Sequence, residues 1–285
     1  MERAFSRCHP AVNFIFFLLA IGATVVVQHP AFLLASILAA AVYYLLLRGV
    51  RALKTMAALL PLFVLATVVN PVFNTEGEHV LFLLFGRPYT LEALIYGAVV
   101  AGMLVSTMLW CGCYNAVMSG EKFVFLFGRI MPSLSLILVM LFRLVPGFTK
   151  KAAQITTARK SLHLQHKPLR EGMGVISGLT SWALEGGITT SDSMVSRGYG
   201  AGRRSNYRKY RFTVRDGILL TSLLALAAAA FILGDTAAAF TPVLTVAPLQ
   251  GANLWAISAY SLMLLLPVFY EGKEALSWQI SRSGI

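Results

Sequence analysis

Six long apolar stretches alternate with short polar segments along the sequence. They lie at residues 11–28, 30–47, 56–72, 91–113, 212–234 and 252–270. Each has about 17 to 23 residues, near the ~20 that a helix rising 1.5 Å per residue needs to cross a hydrocarbon core of ~30 Å. Strands are excluded from these stretches because an open sheet edge leaves backbone groups unsatisfied in lipid. The pattern predicts an all-α, polytopic integral membrane protein with about six transmembrane helices.

A seventh apolar stretch, residues 133–148, differs from the others because a basic segment follows it directly. The chain is 57% hydrophobic and 13% charged, with a formal net charge of +12. From Arg143 to Arg215 there are 14 basic and 3 acidic residues, so this region alone contributes 14 minus 3, or +11. Such a local concentration of charge requires a local explanation.

The distribution of Lys and Arg predicts that both chain termini are cytoplasmic. Bases precede the first apolar stretch near Arg3 and recur after the second, around Arg48. If residues 133–148 crossed the membrane, the basic segment would lie outside, and a central Arg143 would cost ~2.5 to 3.5 kcal/mol. We therefore predict a helix that lies along the inner membrane face or against another protein and continues past Pro146. An ordinary fifth span with inverted topology after it is the alternative.

The chain divides into three regions on this interpretation. Residues 1–113 form about four N-terminal transmembrane helices, and residues 212–285 form two more with a short tail. Between them, residues 114–211 contain amphipathic and basic segments that predict a pair of long cytosolic helices. The first is expected to be continuous from about residue 132 to 160 and on the order of 40 Å long.

Glycines mark the expected limits of the second cytosolic helix. Pro168, Gly172, Gly174 and Gly178 predict a loop before it, because glycine and proline interrupt regular structure. The helix itself is predicted from about residue 176 to 197. Candidate C-terminal caps that can take the left-handed backbone conformation follow at Gly198, Gly200 and Gly202.

The chemistry of the sequence excludes several classes of function. No Asp or Glu lies in the central part of a predicted span, since Glu92, Asp216 and Asp235 lie at or near span ends, which argues against proton-coupled carriers and intramembrane enzymes. The segment Glu271-Gly-Lys-Glu274 lacks the upstream glycine and the Ser or Thr of a phosphate-binding loop, so we expect no ATP hydrolysis by this chain alone. Its three cysteines and five histidines lack metal-ligand spacing, and no metal or cofactor is predicted.

The basic segment has three interpretations. It would suit an anionic lipid surface. Nucleic-acid binding fits least well, because the segment lacks interleaved aromatic residues and any known module. Docking onto a cytosolic protein fits best, because Arg197 in the last turn of a helix can donate to a partner, and Gly198 lets the chain turn away.

Five sequence motifs, taken together, resemble one protein family. They are Asn70-Pro-Val-Phe-Asn74 with Glu76-Gly77, Thr90-Leu-Glu-Ala-Leu-Ile-Tyr-Gly97, Glu121-Lys-Phe-Val-Phe-Leu-Phe-Gly-Arg129, Leu141-Phe-Arg-Leu-Val-Pro146 and Asp192-Ser-Met-Val-Ser-Arg-Gly-Tyr-Gly200. In this order they resemble the transmembrane T-component of energy-coupling-factor (ECF) type ABC importers. The resemblance extends from about His9 to Asp216, and the last two spans look like a variable tail.

The resemblance implies a non-catalytic scaffold in a prokaryotic plasma membrane. A T-component joins two cytosolic ABC-type ATPases, of one kind or two, to a small membrane protein that binds substrate, the S-component. The complex imports a vitamin, a metal ion or another micronutrient. ATP and Mg are bound by the ATPases, so the resemblance implies no cofactor and no nucleic acid for this chain. The cargo is chosen by the S-component and is not encoded here.

The resemblance also implies two kinds of binding residue. In the family, each coupling helix ends in an Ala-Arg-Gly motif that inserts into an ATPase groove. The matching positions are Ala158 and Arg159 in the first helix, followed by Lys160 instead of glycine, and Ser196, Arg197 and Gly198 in the second, with Ser196 instead of alanine. Because lysine tolerates the left-handed turn less well than glycine, the first helix is expected to continue at Lys160. The apolar residues expected to contact the S-component are Leu134, Leu138, Leu141, Phe142 and Val145.

An alternative function is a stand-alone secondary membrane carrier whose basic loop binds lipid. Such a carrier would transport without ATPases and would tolerate scrambling of the basic segment if its charge were kept. The coupling function would not tolerate it.

Overall fold

The computed structural model of the chain describes residues 5–74, 79–84, 87–128, 132–161, 168–202, 210, 212–234, 238–239, 245–246 and 251–283. Most of these residues are helical. The α-helices are α1 (Pro10–Val26), α2 (Pro30–Arg48), α3 (Val50–Phe73), α4 (Leu91–Val117), α5 (Gly120–Gly128), α6 (Pro132–Ser161), α7 (Pro168–Ser196), α8 (Val214–Leu233) and α9 (Ala252–Ser283). The predicted all-α fold is confirmed.

Five helices in the described ranges are long and apolar enough to cross a membrane. They are α2, α3, α4, α8 and the first 22 residues of α9. The apolar helix α1 has 17 residues and is therefore about 25 Å long, so the sixth crossing and the orientation of the termini remain predictions. The helices are those of a multi-pass membrane protein.

Two short antiparallel ribbons lie in the connections between spans, and the sequence analysis did not predict them. Strand β1 (Val80–Leu84) pairs with β2 (Arg87–Thr90) between α3 and α4, and β3 (Ala238–Ala239) pairs with β4 (Thr245–Val246) between α8 and α9. Neither ribbon interrupts a span, in agreement with the exclusion of open sheets from lipid.

The described chain forms two compact units. The first, here called the membrane bundle, comprises residues 1–119 and 211–285, and the second, the hairpin unit, comprises residues 120–210. Each unit has its own internal contacts.

Aromatic side chains fill the centre of the membrane bundle. Trp110 of α4 is fully buried, and its ring meets the edges of Phe16 and Phe17 of α1 at centroid distances of 5.7 and 6.5 Å. Tyr43 of α2 lies 6.5 Å from the same indole. Helices α8 and α9 belong to the same core and are not a peripheral tail, because Leu223, Ala227, Ala230, Ala256, Tyr260, Met263 and Leu264 are all buried in it.

A network of buried hydroxyl groups links four helices of the bundle. The hydroxyl oxygen of Ser36 in α2 lies 2.9 Å from that of Thr24 in α1 and 2.9 Å from that of Ser106 in α4. Trp110 donates its indole N–H to the same oxygen at 3.0 Å. The Tyr260 hydroxyl of α9 is hydrogen-bonded to Thr24 and Ser36. The polar groups of this network are thereby paired, as burial in an apolar interior favours.

The backbones of α3 and α4 approach closely at Gly97. A Cβ atom built there would lie 2.8 Å from the carbonyl oxygen of Thr67 and 2.8 Å from Cβ of Asn70. Small residues are typical of such contacts between membrane helices, since they let the backbones meet. Gly97 is therefore fixed by packing.

The same sequence, His-Pro-Ala, occurs at the start of α1 and of α2, with the histidine as N-cap residue and the proline as the first residue of the helix. In each, the imidazole Nδ1 of the N-cap histidine, His9 or His29, accepts the backbone N–H of Ala11 or Ala31 at 3.2 Å. Proline occupies the first helical position, where its missing N–H has no cost. These caps require an imidazole nitrogen without a proton.

In the hairpin unit, α5 runs antiparallel to the first half of α6. The Ser135 hydroxyl donates to the carbonyl oxygen of Val124 at 3.5 Å, and a Cβ at Gly120 would lie 3.0 Å from the ring of Phe142. Helix α6 contains Pro146 and is nevertheless continuous over 30 residues, about 45 Å. The predicted uninterrupted helix through this proline is confirmed.

Helix α7 differs from the prediction at its start. It begins at Pro168 rather than near residue 176, so the loop predicted over Gly172, Gly174 and Gly178 is wrong. Two of these glycines contact α6: a Cβ at Gly178 would lie 3.4 Å from Cδ1 of Ile155, and one at Gly174 would overlap the Arg159 guanidinium. Both glycines lie on the α7 face that meets α6 and not in a turn, and at Gly174 a side chain would displace the Arg159 guanidinium.

Candidate partner-docking surface

The contacts between α6 and α7 define an antiparallel pair with a fixed register. The Trp182 ring of α7 meets Phe148 of α6 edge-on at 5.7 Å, and the Lys151 ammonium lies 6.0 Å from the centroid of the same indole. Ile155 then faces Gly178, and Arg159 faces Gly174. The contact residues on α6 recur every three or four positions, so one face of each helix is used along the whole pair.

Helix α7 ends at Ser196, and the residues that follow form a defined cap. Gly198 has a φ of 78°, in the left-handed region, as predicted. The Gly198 N–H donates to the carbonyl of Val195 at 2.9 Å, and the Tyr199 N–H donates to that of Met194 at 2.9 Å. These two hydrogen bonds form a Schellman motif. Backbone N–H groups thus satisfy the last carbonyl groups of the helix, so the Arg197 side chain is not needed for capping. It is exposed.

Ser196 and Gly198 are exposed together with Arg197. The Ser196 hydroxyl donates to the carbonyl of Ser193 at 3.0 Å, within its own helix. The three residues of the second predicted motif therefore form one accessible helix end.

The first predicted motif lies inside the last turn of a helix. Ala158, Arg159 and Lys160 are all helical, and α6 continues to Ser161, as expected for lysine in place of glycine. Ala158 is exposed, whereas Arg159 is half-buried. The two predicted motifs thus have different local structures.

The five apolar residues predicted on α6 divide between two faces. Leu134, Leu141 and Val145 are exposed. Leu138 is half-buried and falls between Ser135 and Phe142, which both meet α5, so it belongs to the face packed on that helix. Phe142 contributes to the same contact while remaining 52% exposed.

Sequence reasoning missed two members of the exposed apolar face of α6. Ile137 is 53% exposed, and Leu144 is exposed beside Val145. With Leu134 and Leu141 they recur at helical spacing, which is the signal that could have found them. The α6 face is hereafter the set Leu134, Ile137, Leu141, Leu144 and Val145.

Helix α7 has a second exposed apolar face. Its members are 63 to 70% exposed, and they are Met173, Ile176, Leu184, Ile188 and Val195. They lie away from Gly174, Gly178 and Trp182, the residues that meet α6. This α7 face is free within the described hairpin unit.

Charge on the described part of the hairpin unit is concentrated on α6. Lys150 and Lys160 are exposed on its basic half, and the only charged residues of α7 from Met173 to Ser196 are Glu185 and Asp192. The basic residues Arg203, Arg204, Arg208 and Lys209 lie outside the described residues, as do His163 and His166. Among the residues that the structure describes, no group of three or more His, Cys, Asp or Glu side chains could hold a metal ion.

No protein-family model matches this chain, and no curated protein matches it. The class of protein is therefore defined by the fold alone, as a multi-pass helical membrane protein with a separate helical hairpin unit.

Proposed function

We propose that this chain is the membrane scaffold of an ECF-type ABC importer. It transmits ATP-driven movement of cytosolic ATPases to a separate membrane protein that binds a vitamin, a metal ion or another micronutrient. The proposal combines the five sequence motifs with the surfaces of the hairpin unit.

The observation that carries the proposal is the exposed Arg197 at the end of α7. A guanidinium has five N–H donors in a planar fork that suits carboxylates and carbonyl oxygens of a partner. Here the Schellman motif, with Gly198 N–H donating to the Val195 carbonyl at 2.9 Å, satisfies the helix end without it. Arg197 is then available to a groove on an ATPase subunit.

The apolar faces of α6 and α7 support a second, membrane-embedded partner. A helix that lies on an anionic membrane surface usually carries Lys and Arg beside its apolar face. From Met173 to Ser196, α7 has only the acids Glu185 and Asp192, which anionic lipid would repel. The other exposed residues of α7 near this apolar face include Ser177, Ser181 and Gly187, which are small residues of the kind that let membrane helices pack closely. At the α7 face, these features favour an apolar helical partner, the S-component, over a lipid headgroup surface.

The proposed mechanism is a conformational relay. Nucleotide binding closes the ATPase pair, the docked end of α7 moves with it, and the α6 face moves against the S-component. The scaffold supplies contacts that differ between the two states, and the free energy comes from ATP bound by its partners.

The test is affinity purification from native membranes with mass spectrometry of the bound proteins. We expect ABC-type ATPase subunits and a small, very hydrophobic membrane protein. Arg197→Ala should lower the recovery of ATPase about tenfold or more, as loss of an interface hot spot does. Thr189→Val is the matched control, since it removes an exposed hydroxyl of the same helix that donates to the Glu185 carbonyl and lies outside the docking motif, and it should leave recovery unchanged. Transport by the purified chain alone in vesicles, or unchanged ATPase recovery with Arg197→Ala, would contradict the proposal.

A further inference from the structure

The two arginines near the ends of α6 and α7 have different surroundings. Arg197 is exposed, whereas Arg159 is half-buried. A Cβ built at Gly174 would lie 2.5 Å from Nη1 of Arg159 and 2.6 Å from both its Cζ and its Nη2. The guanidinium therefore occupies the space that any other side chain at position 174 would need.

The flat face of the Arg159 guanidinium lies against α7 at Gly174. The Nε atom is buried and has no hydrogen-bond partner among the described residues. A guanidinium group is more weakly hydrated than the ammonium group of lysine. Packing its flat face against a neighbouring helix therefore costs less than burying an ammonium group there. The arrangement is a packing contact between helices rather than a charge presented to solvent.

The position of Arg159 continues the contact face of α6. Lys151 meets Trp182, Ile155 meets Gly178, and Arg159 meets Gly174, each four residues after the last. Side chains four apart on a helix lie on one face. Arg159 therefore extends towards α7 and away from the exposed side that holds Ala158.

We infer that Arg159 is a positioning residue that fastens the last turn of α6 to α7 at Gly174. The hairpin unit then presents one helix-end arginine, Arg197, to the ATPases, instead of two; this second statement rests on the proposed function. Displacement of the α7 end is passed to α6 through this contact and those of Ile155 and Trp182.

The experiment measures the spacing of the two helices and ATPase recovery in the same full-length protein. Spin labels are attached at Thr157→Cys and Ser177→Cys, which are exposed on α6 and α7, in a Cys111→Ser background, because Cys111 is the exposed native cysteine among Cys8, Cys111 and Cys113. The variants compared are Arg159→Ala, Arg159→Met, Gly174→Ala, Arg197→Ala and, as the matched control, Gly172→Ala. A Cβ at Gly172 meets nothing within 4 Å.

Arg159→Ala removes the guanidinium, and Gly174→Ala adds a Cβ that displaces it. Each should broaden the distance distribution between the labels, and the double variant should broaden it no further, because both changes act on the same contact. Arg159→Met keeps a long side chain and should restore most of the narrow distribution, while Gly172→Ala should not change it. ATPase recovery should stay within about twofold for all four, as for residues outside a hot spot, and fall about tenfold for Arg197→Ala.

Each contrary outcome identifies what is wrong. If Arg159→Ala and Arg159→Met both lose ATPase about tenfold while the label distances are unchanged, Arg159 docks, and the inference fails while the proposed function stands. Unchanged distances in both Arg159→Ala and Gly174→Ala also overturn the inference. If Arg197→Ala retains its ATPase, the proposed function fails whatever Arg159 does.

Discussion

The membrane bundle and the hairpin unit differ in what holds them together. The bundle has a core of fully buried aromatic side chains around Trp110 and a paired hydroxyl network around Ser36. In the hairpin unit, among residues whose burial is described, only Lys122 and Val124 are buried. The bundle is therefore specified by its own packing, whereas the hairpin unit carries apolar surface that something else must cover.

Exposed apolar residues have different meanings in the two units. On α3 they include Leu60, Val64 and Leu65, and they belong to a span whose natural neighbour is lipid. On α6 they lie in a helix that continues into a basic half with Lys150 and Lys160, which cannot lie in the hydrocarbon core. The same degree of exposure thus indicates lipid in one unit and a partner or the membrane boundary in the other.

The largest expected effect comes from placing charge on the α6 face. Ile137→Asp with Leu141→Asp should lower recovery of the small membrane partner about a hundredfold, because two carboxylates would be buried without partners. The control is Ile137→Met with Leu141→Met, which keeps the face apolar. Bundle stability should not change, and thermal unfolding in detergent checks it. Undiminished co-purification with the two aspartates would contradict the proposed partner face.

A smaller effect on stability is expected in the bundle when its hydroxyl network is broken. Ser36→Val removes the oxygen that Trp110 donates to at 3.0 Å and leaves buried polar groups unpaired. The expected loss is about 1–3 kcal/mol, seen as a lower unfolding temperature. Ser258→Val is the matched control, because the Ser258 hydroxyl is exposed and donates only to the carbonyl of Trp255 in its own helix. Equal losses in the two variants would mean that the network does not specify the packing.

The smallest effect is a pH dependence at the start of α1. Burial lowers the pKa of His9, against the opposing attraction of Asp216, which raises it. Protonation also removes the acceptor that Ala11 N–H uses and places positive charge at a helix N-terminus.

Because the folded-state pKa lies below the unfolded value of about 6.5, this contribution to stability is complete above that pH and is lost as pH falls through the folded-state pKa. His9→Asn keeps an N-cap acceptor that does not titrate. Wild type should therefore lose more thermal stability than His9→Asn between pH 7.5 and 5.5, by at most a few degrees, since 1 kcal/mol corresponds to about 2–4 °C at this size. Identical slopes would exclude His9 as the titrating group.

The apolar stretches predicted the positions of the helices well, because length and hydrophobicity are properties of a segment alone. The stretch at 133–148 with the basic segment after it also predicted that α6 continues through Pro146, and the glycines after α7 predicted the left-handed conformation of Gly198. The apolar stretches did not predict which side of α6 faces outward: Leu138 was grouped with Leu141 because a stretch that is apolar on all sides gives no signal for its buried face.

Glycine was the other source of error, because it has two uses that a single sequence does not distinguish. At Gly198 it allows a positive φ, but at Gly174 it leaves room for the Arg159 guanidinium within a helix. The resemblance treated Arg159 and Arg197 alike, since both follow a small residue near a helix end. The sequence distinguished them only by Lys160 in place of glycine, and it did not predict that Arg159 is half-buried against α7.

The hydroxyl network also makes the positions of the helices depend on one another. Thr24 donates its hydroxyl proton to the carbonyl of Ala20 at 2.7 Å, so in its pair with Ser36 it accepts. Ser36 in turn accepts the Trp110 indole N–H, and the Tyr260 hydroxyl of α9 is bonded to both Thr24 and Ser36. Each hydroxyl is satisfied only while its neighbours on other helices are in place, so rotation or sliding of one helix would leave polar groups unpaired on the others.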